Sequence, residues 1–448
     1  MNLLGTVPGT DSMPMTKQFR SSGGDHLLIV PHSRIFDLTE DLAEALRAGN
    51  PDAVSLAQAL ALPSQGEVEL DHVVAPPAQG LSLNVSSACN LSCSYCYADR
   101  GGFGGAEPAA MEKSVAFAAV DRLLAVSDLK YPVTIGFLGG EPLVNRRLVH
   151  EVVAYANAAA AATGADVRYS ITTNGTLLAP EDIELFRNSA CAVTVSIDGG
   201  KAAHDRQRPL LSGAGSYDLL RSRIAPLLRN PGRARIAARA TVSREMLAGG
   251  LSGHFESICA MGFPEVGFSP LRVSAGSGAF VAEDWPIYLC ALTALARAEM
   301  ETALAGGSIR LTNLAVALKQ LYRGASSPYP CGAGGGYFSV SADGSWYACH
   351  RAVGNEEYKL GDNSVLDAAR RYDFLRARHV HSQIECRTRW ARYLCSGGCH
   401  QEASSRSVSG CDFIRAWLEF CLVAFCELSA RRPDYFDASS IKPELVTS

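Results

Sequence analysis

The 448-residue sequence predicts an α/β protein built on an open, partial barrel of six parallel strands, with a small module before it and a small cysteine-rich domain after it. Three observations predict this. From Leu81 to about Arg272, strand-like runs alternate with helix-like runs, the pattern of a parallel sheet with crossover helices. A Gly/Ser/Pro-rich stretch from Gly324 to Gly336 then ends the alternation. From Cys331 onward lie eight of the 14 cysteines, in sequence that reads as loop-rich, where bound metal can substitute for a core too small to hold itself.

Residues 1–23 are rich in Gly, Ser, Thr and Met without periodicity, and read as a floppy leader. Residues 24–80 read as a small module. Leu27–Val30 and Ile35–Leu38 are strand-like around a turn at Pro31-His32-Ser33, a helix opens at Thr39, and Pro76-Pro77 closes the segment. The barrel is expected over 81–305. Its strands are Leu81–Val85, Val133–Leu138, Val167–Thr172, Ala192–Ile197, Arg235–Val242 and Glu265–Ser269, and Ala110–Val126, Arg147–Ala162 and Tyr217–Leu228 carry helical spacing between them. Six units are too few for a closed eight-stranded barrel. Pro286–Ala305 and Leu311–Tyr322 also read as helices. The second falls in a linker, 306–330, to a cysteine-rich domain at 331–430 and a tail at 431–448.

A net charge of -4, a pI of about 6.2 and the lack of any long Lys/Arg block argue against a nucleic-acid partner. Met1 to Gly24 has no charged-then-apolar layout, and the apolar run Phe413–Leu428 is interrupted by Arg415, Glu419 and Glu427, so no membrane partner and a cytoplasmic location are expected. Thiols there stay reduced, so clustered cysteines are expected to ligate metal rather than form disulfides. Cys191, Cys259 and Cys290 stand among apolar neighbours as small core residues. The glycine runs at 101–105 and 332–336 lack a Walker lysine or a dinucleotide setting, and the ten histidines show no metal-ligand spacing.

Just after the first barrel strand comes Cys89-x3-Cys93-x2-Cys96. Three thiolates can wrap one cubane and leave its fourth iron without a protein ligand, whereas a zinc site is the other reading of clustered cysteines. Gly139-Gly140-Glu141-Pro142, Thr173-Asn174-Gly175 and Ser196-Ile197-Asp198-Gly199 close the next three strands. In parallel sheets chemistry gathers at such carboxyl ends, although each tripeptide or tetrapeptide is also ordinary turn chemistry. Together these motifs, over Leu81 to Arg272, resemble the radical S-adenosylmethionine (radical SAM) superfamily, with Tyr95 at the aromatic place of its C-x3-C-x-aromatic-C motif. The resemblance implies a catalytic 4Fe–4S cluster on Cys89, Cys93 and Cys96, whose free iron is chelated by S-adenosyl-L-methionine. An electron from a donor such as flavodoxin or ferredoxin then breaks the sulfonium bond and yields a 5′-deoxyadenosyl radical. It further implies that Gly139, Gly140, Glu141 and Pro142 receive the methionine ammonium, that Asn174, Ser196 and Asp198 position the cosubstrate, and that Arg208 is a candidate for its carboxylate; a solvated loop arginine is the alternative for Arg208.

Cys331, Gly344-x4-Cys349, Cys386-x2-Arg389-x5-Cys395-x3-Cys399 and Cys411 resemble the SPASM domain of peptide-modifying radical enzymes, with six of its seven cysteines present. That resemblance implies one or two auxiliary iron–sulfur clusters, an inner one on Cys331, Cys349 and Cys399 and an outer one on Cys386, Cys395 and Cys411. Trp390 to Cys399 resembles maturases that install thioether cross-links in a quinohemoprotein subunit. Arg389 stands where a cysteine is expected and cannot ligate iron, because its guanidinium stays protonated. Cys421, Cys426, His400 or a neighbouring residue replaces the ligand, or one iron stays open, or the outer cluster does not assemble. His26 to Leu70 resembles a reduced form of the winged-helix segment by which such enzymes add a precursor leader as an edge strand; a cap on the barrel edge is an equal reading. The expected function is a maturase that takes hydrogen from a ribosomally made precursor peptide and closes a thioether or carbon–carbon cross-link. A formylglycine-forming sulfatase maturase and a non-catalytic, zinc-stapled interaction protein are the alternatives.

Overall fold

The computed structural model describes residues 13–61, 70, 73–99, 102, 109–272, 278–324, 326–402 and 406–437. The chain opens on a three-stranded antiparallel sheet of β1 (Thr16–Ser21), β2 (Gly24–Ile29) and β3 (Arg34–Leu38), followed by helices α1 (Glu40–Arg47) and α2 (Pro51–Leu60). The start of α1 is set locally. The Thr39 side chain accepts from Leu42 N, and Glu40 and Asp41 sit in the first turn, where the helix dipole favours them.

The first strand corrects the expectation of a leader over residues 1–23. β1 runs from Thr16 opposite Ile29 to Ser21 opposite Gly24, and Phe19 is buried in the main core. One buried ring and a backbone ladder order a segment whose other side chains are mostly polar, and composition shows neither. Arg392 Nη1 also donates to the carbonyl of Pro14 at 2.6 Å. The first twelve residues of that leader, most of the glycine run at 101–105 and the tail beyond Asp437 lie outside the described residues.

The barrel follows as strand and helix in turn: β4 (Gly80–Ser86), α3 (Lys113–Val126), β5 (Val133–Gly139), α4 (Arg146–Thr163), β6 (Val167–Thr173), α5 (Pro180–Asn188), β7 (Cys191–Ser196), α6 (Lys201–Gln207), α7 (Tyr217–Arg229), β8 (Arg235–Val242), α8 (Arg244–Ala248), α9 (Leu251–Ala260) and β9 (Val266–Pro270). β4 to β9 are parallel neighbours in sequence order. Each strand has two chemically different faces, because successive side chains point to opposite sides. Leu83, Ile135, Val193, Ile236 and Phe268 are buried in the core. Ser82, Thr134, Ser170, Thr172, Thr194, Ser196 and Thr241 are on the other face and line an interior cleft. The barrel therefore has a wet, polar lumen inside an apolar shell.

The remaining elements are α10 (Asp284–Leu304), α11 (Thr312–Arg323), β10 (Tyr337–Val340), β11 (Ser345–Tyr347), β12 (Lys359–Asp362), α12 (Ala368–Arg378), α13 (Ile384–Arg387), α14 (Arg392–Cys395) and α15 (Val408–Arg431). The helix read at Leu311–Tyr322 is α11, and its buried Leu314, Leu318 and Leu321 make the expected linker at 306–330 part of the core. The cysteine-rich region is joined to the barrel's own sheet. β10 pairs in parallel with β4, β11 and β12 extend it, and one sheet runs β12-β11-β10-β4-β5-β6-β7-β8-β9. Strands of three or four residues carry no readable period, and their partner lies far away in the chain. α15, of 24 residues, packs against α10, α11 and β1. Among the described residues no helix is long and apolar enough to cross a membrane.

If β1 is part of the core, Phe19→Ala should lower stability by about 3 kcal/mol, the usual loss for a buried aromatic, seen as a lower urea midpoint. An unchanged midpoint would restore the floppy leader.

Candidate active site

The loop that follows β4 carries Cys89, Cys93 and Cys96 at the carboxyl end of the sheet. It is held as an added strand would be. Leu91 bridges Leu210, and Ser92 N and Ser94 N donate to the carbonyls of Pro209 at 2.9 Å and Gln207 at 3.0 Å. The three thiols lie within electrostatic reach of one another. Burial pushes Cys89 up to about 11 and raises Cys93, with Arg208 opposing the shift at Cys93. Such thiols give up their protons on binding a metal, which is how thiolate ligand sets form. Three thiols on one loop, within electrostatic reach of one another, fit a cubane, which takes its thiolates on separate irons.

Gly139-Gly140-Glu141-Pro142 stitches this loop to β5. Gly140 N and Glu141 N donate to the carbonyls of Ser86 and Ala88 at 2.8 and 2.9 Å, and a Cβ on Gly139 would meet Ser86 O at 2.2 Å, so the approach requires glycine. Pro142 opens the short turn to Asn145. The Glu141 side chain does not line the cleft. It is fully buried and accepts from Thr173 Oγ1 at 2.7 Å, Asn174 N at 2.7 Å and Leu143 N at 3.1 Å. Burial pushes its carboxyl up to about 7, and the three donors oppose that shift. The carboxylate expected at the methionine ammonium thus latches β5 to the end of β6. Asn174 likewise turns to the loop, with Nδ2 donating to Asn90 Oδ1 at 2.9 Å and standing 3.9 Å from Cys89 Sγ.

Asp198 has no exposed surface. It accepts from Tyr95 Oη in a short hydrogen bond, from Arg208 Nε at 2.9 Å and from Thr241 N at 2.8 Å. Arg208 is buried rather than solvated. Its guanidinium lies over the Tyr95 ring at 5.3 Å, and Nη1 reaches Cys93 Sγ at 3.9 Å. Of the residues expected at the cosubstrate, Tyr95, Ser196 and Arg208 line the cleft, whereas Asp198 holds two of its walls together.

That cleft has a volume of about 1040 Å³. On the side facing the C-terminal region it is bounded by Tyr337, His350, Arg351, Cys395, Cys399 and Glu402, and along α15 by Phe413, Ile414, Trp417 and Leu418. Cys331, Cys349 and Cys399 lie within electrostatic reach of one another, and so do Cys386, Cys395 and Cys411. Arg389 has an exposed side chain. Of the substitute ligands considered for the outer trio, Cys421 is buried in the core, Cys426 faces Asp37 and Glu427, and His400 is buried with Nδ1 accepting from Arg378 Nε at 3.1 Å. Sequence reasoning missed Arg239, Arg272, Arg351 and Glu402 of the cleft, as well as the lumen hydroxyls; the period-two placement of Ser and Thr on the strands was the available signal for the latter.

A parallel partial barrel with three thiols on the loop after its first strand defines an α/β protein that gathers a thiol ligand set over a lumen lined by strand hydroxyls. Residues 83–218 match the Radical SAM superfamily, and the chain carries that domain. It is 24% identical over 329 residues to the serine-type anaerobic sulfatase-maturating enzyme of Klebsiella aerogenes, spanning 70% of this chain and 78% of that one. Its fold matches that of anSMEcpe with bound AdoMet at a TM-score of 0.64, with 19% identity, over 78% of this chain and 99% of that one. It also matches Streptococcus suis SuiB bound to precursor peptide SuiA at a TM-score of 0.51, with 12% identity, over 88% and 97%. Residues 83–218 thus carry a Radical SAM domain, and over most of its length the chain is similar to the sulfatase maturases.

Glu141 generates a prediction. Its folded pKa, about 7, lies above the ordinary 4.5, so the fold retains a proton that the unfolded chain releases. The stability it contributes is complete below pH ~4.5 and is lost as pH rises through ~7. Glu141→Gln should remove that slope from the urea midpoint measured between pH 5 and 8; an unchanged slope would contradict the buried placement.

Proposed function

We propose that this chain is a peptide maturase that takes a hydrogen atom from an unactivated carbon of a ribosomally made precursor and closes a thioether or carbon–carbon cross-link. The observation that carries this reading is the shared cleft. Tyr95, Ser196 and Arg208 stand on one side of it and Cys395 and Cys399 on the other, in a space large enough for a peptide segment. When bound on Cys89, Cys93 and Cys96, a 4Fe–4S cluster with S-adenosyl-L-methionine supplies the carbon radical. The chain's own residues do the rest. Asp198 fixes Arg208 and Tyr95 at the edge of the cluster loop, with Arg208 placed to meet the cosubstrate carboxylate, and Ser196 presents a hydroxyl at the end of β7. Gly139 and Gly140 bring backbone against the loop, where their carbonyls suit an ammonium. Phe413, Trp417 and Leu418 keep one wall apolar, which protects a radical from side reactions.

The N-terminal sheet supports a peptide partner. β3 is an edge strand with Phe36 exposed, able to accept an added strand through its backbone. SuiB, the neighbour covering more of this chain, was solved with its precursor peptide bound. A low-potential donor such as flavodoxin or ferredoxin and the reducing cytoplasm complete the reading. The second reading, formylglycine formation, is favoured by the similarity to the Klebsiella enzyme.

Co-expression with the peptide encoded beside this chain tests both. A cross-link and an aldehyde made from serine each remove two hydrogens, so mass alone does not separate them. Cross-linking predicts that loss of two hydrogens with no capture by hydroxylamine, with one thiol no longer alkylated if the bond is a thioether and all thiols still alkylated if it is carbon–carbon; capture would favour the aldehyde. Replacing Cys89, Cys93 and Cys96 by alanine should abolish 5′-deoxyadenosine formation. Its persistence would end the enzymatic reading.

A further inference from the structure

Each of the three thiol trios has one arginine directed at one of its sulfurs. Arg208 Nη1 stands 3.9 Å from Cys93 Sγ, Arg351 Nη1 3.9 Å from Cys399 Sγ, and Arg406 Nη1 2.9 Å from Cys386 Sγ. The guanidiniums differ in what cancels their charge. Arg208 pairs with Asp198 at 2.9 Å and Arg351 with Glu402 at 2.6 Å. The other contacts of Arg406 are neutral, Gln383 Oε1 at 2.8 Å and the carbonyl of Gly397, and among the described residues no carboxylate pairs with it. Around the outer trio, Cys395 also feels Arg272, which is itself paired with Glu402, and Cys386 feels Glu385 beside it; Arg378, hydrogen-bonded to His400, acts on Cys386 and on Cys399 of the inner trio alike, which leaves Arg406 at 2.9 Å from Cys386 as the difference between the two. At the catalytic trio Asp198 both pairs with Arg208 and acts on Cys93.

Net charge and hydrogen bonds to sulfur are among the factors that set a cluster's reduction potential. A donor and an uncancelled cation beside a thiolate favour the added electron; a carboxylate at ion-pair distance from that cation removes most of the effect. We infer that Arg406 is a redox-positioning residue, whose uncancelled charge at Cys386 makes the outer cluster the most readily reduced of the three sites and hence the acceptor of the electron that substrate oxidation returns. This rests on the reading above that the trios hold clusters and that the chain cross-links a peptide. The electron count requires such an acceptor. One electron enters to break the sulfonium C–S bond, and the 5′-deoxyadenosyl radical takes a hydrogen atom from a substrate carbon. That carbon radical and a substrate thiol become a thioether by losing one proton, to solvent, and one electron, to the oxidised outer cluster. Arg389, at the place of the missing cysteine, has an exposed side chain and does not supply the charge.

A redox titration followed by electron paramagnetic resonance, on the full chain reconstituted with iron and sulfide, decides this. Cys386→Ala identifies the outer signal as the one it removes. In the wild type that signal should titrate at the highest potential of the three. Arg406→Gln should move it to a more negative potential and leave the other two in place, while Arg406→Lys, which keeps the charge, should restore most of the shift. An outer signal that is absent, not the highest, or unmoved by Arg406→Gln overturns the inference; if Arg406→Gln loses iron, the wild-type order and the lysine variant decide. Failure of the underlying reading is separate, because it shows as no 5′-deoxyadenosine formed by protein whose catalytic signal is intact.

Discussion

A carboxylate with no exposed surface must have its lone pairs answered from inside the fold, and Asp198 draws its answers from three places. Tyr95 comes from the cysteine loop, Arg208 from the end of α6, and Thr241 N from β8, while the backbone N of Asp198 itself donates to His204 Nδ1 at 3.2 Å. His204 can play that part because burial lowers it to about 4 and keeps the ring neutral, with its other nitrogen 3.0 Å from Ser216 Oγ. Removing one partner from such a buried pair typically costs about 3–5 kcal/mol, since the remaining charge is stranded. The position of the cysteine loop over the lumen therefore depends on this one group more than on any apolar contact.

Glu141 shows the same principle with a different outcome. Both acids are fully buried and each ties two strand ends together, but Asp198 has a guanidinium at 2.9 Å and Glu141 has only neutral donors. Desolvation is then the largest influence on Glu141, which rises to about 7. The two latches together frame the carboxyl ends of β5 to β8. That arrangement explains why the strand-end motifs need acids and glycines even where those side chains never reach the cleft.

The six barrel strands were legible because each carries an apolar face toward helices over at least five residues, long enough for period and turn signals to agree. β1 was not, since Thr16, Lys17, Gln18 and Arg20 surround its single buried ring. β10 to β12 were not, since their order comes from pairing with β4 across the chain. Within the site, residue type and spacing indicated the three thiols and the strand-end motifs. They could not indicate that Glu141 and Asp198 turn inward, because side-chain direction is decided by which neighbouring elements offer donors. Arg406 carries no sequence signal at all: its place beside Cys386 follows from the turn between α14 and α15.

α15 links these observations. Its apolar residues, interrupted by few charges, suggested only a late hydrophobic stretch, but a helix packed on several sides reads as apolar nearly all round. One face lies on α10 and α11, another meets β1 through Lys17 and Glu419 at 3.2 Å, and Phe413, Ile414, Trp417 and Leu418 close the cleft. The same helix begins at Ser407, whose side chain accepts from Gly410 N, and carries Cys411 in its first turn. One member of the outer trio, Cys411, the apolar wall of the cleft and the seat of the N-terminal sheet are thus parts of one helix. A cleft with polar strands on one side and α15 on the other offers hydrogen-bonding groups to a ligand at one wall and an apolar surface at the other.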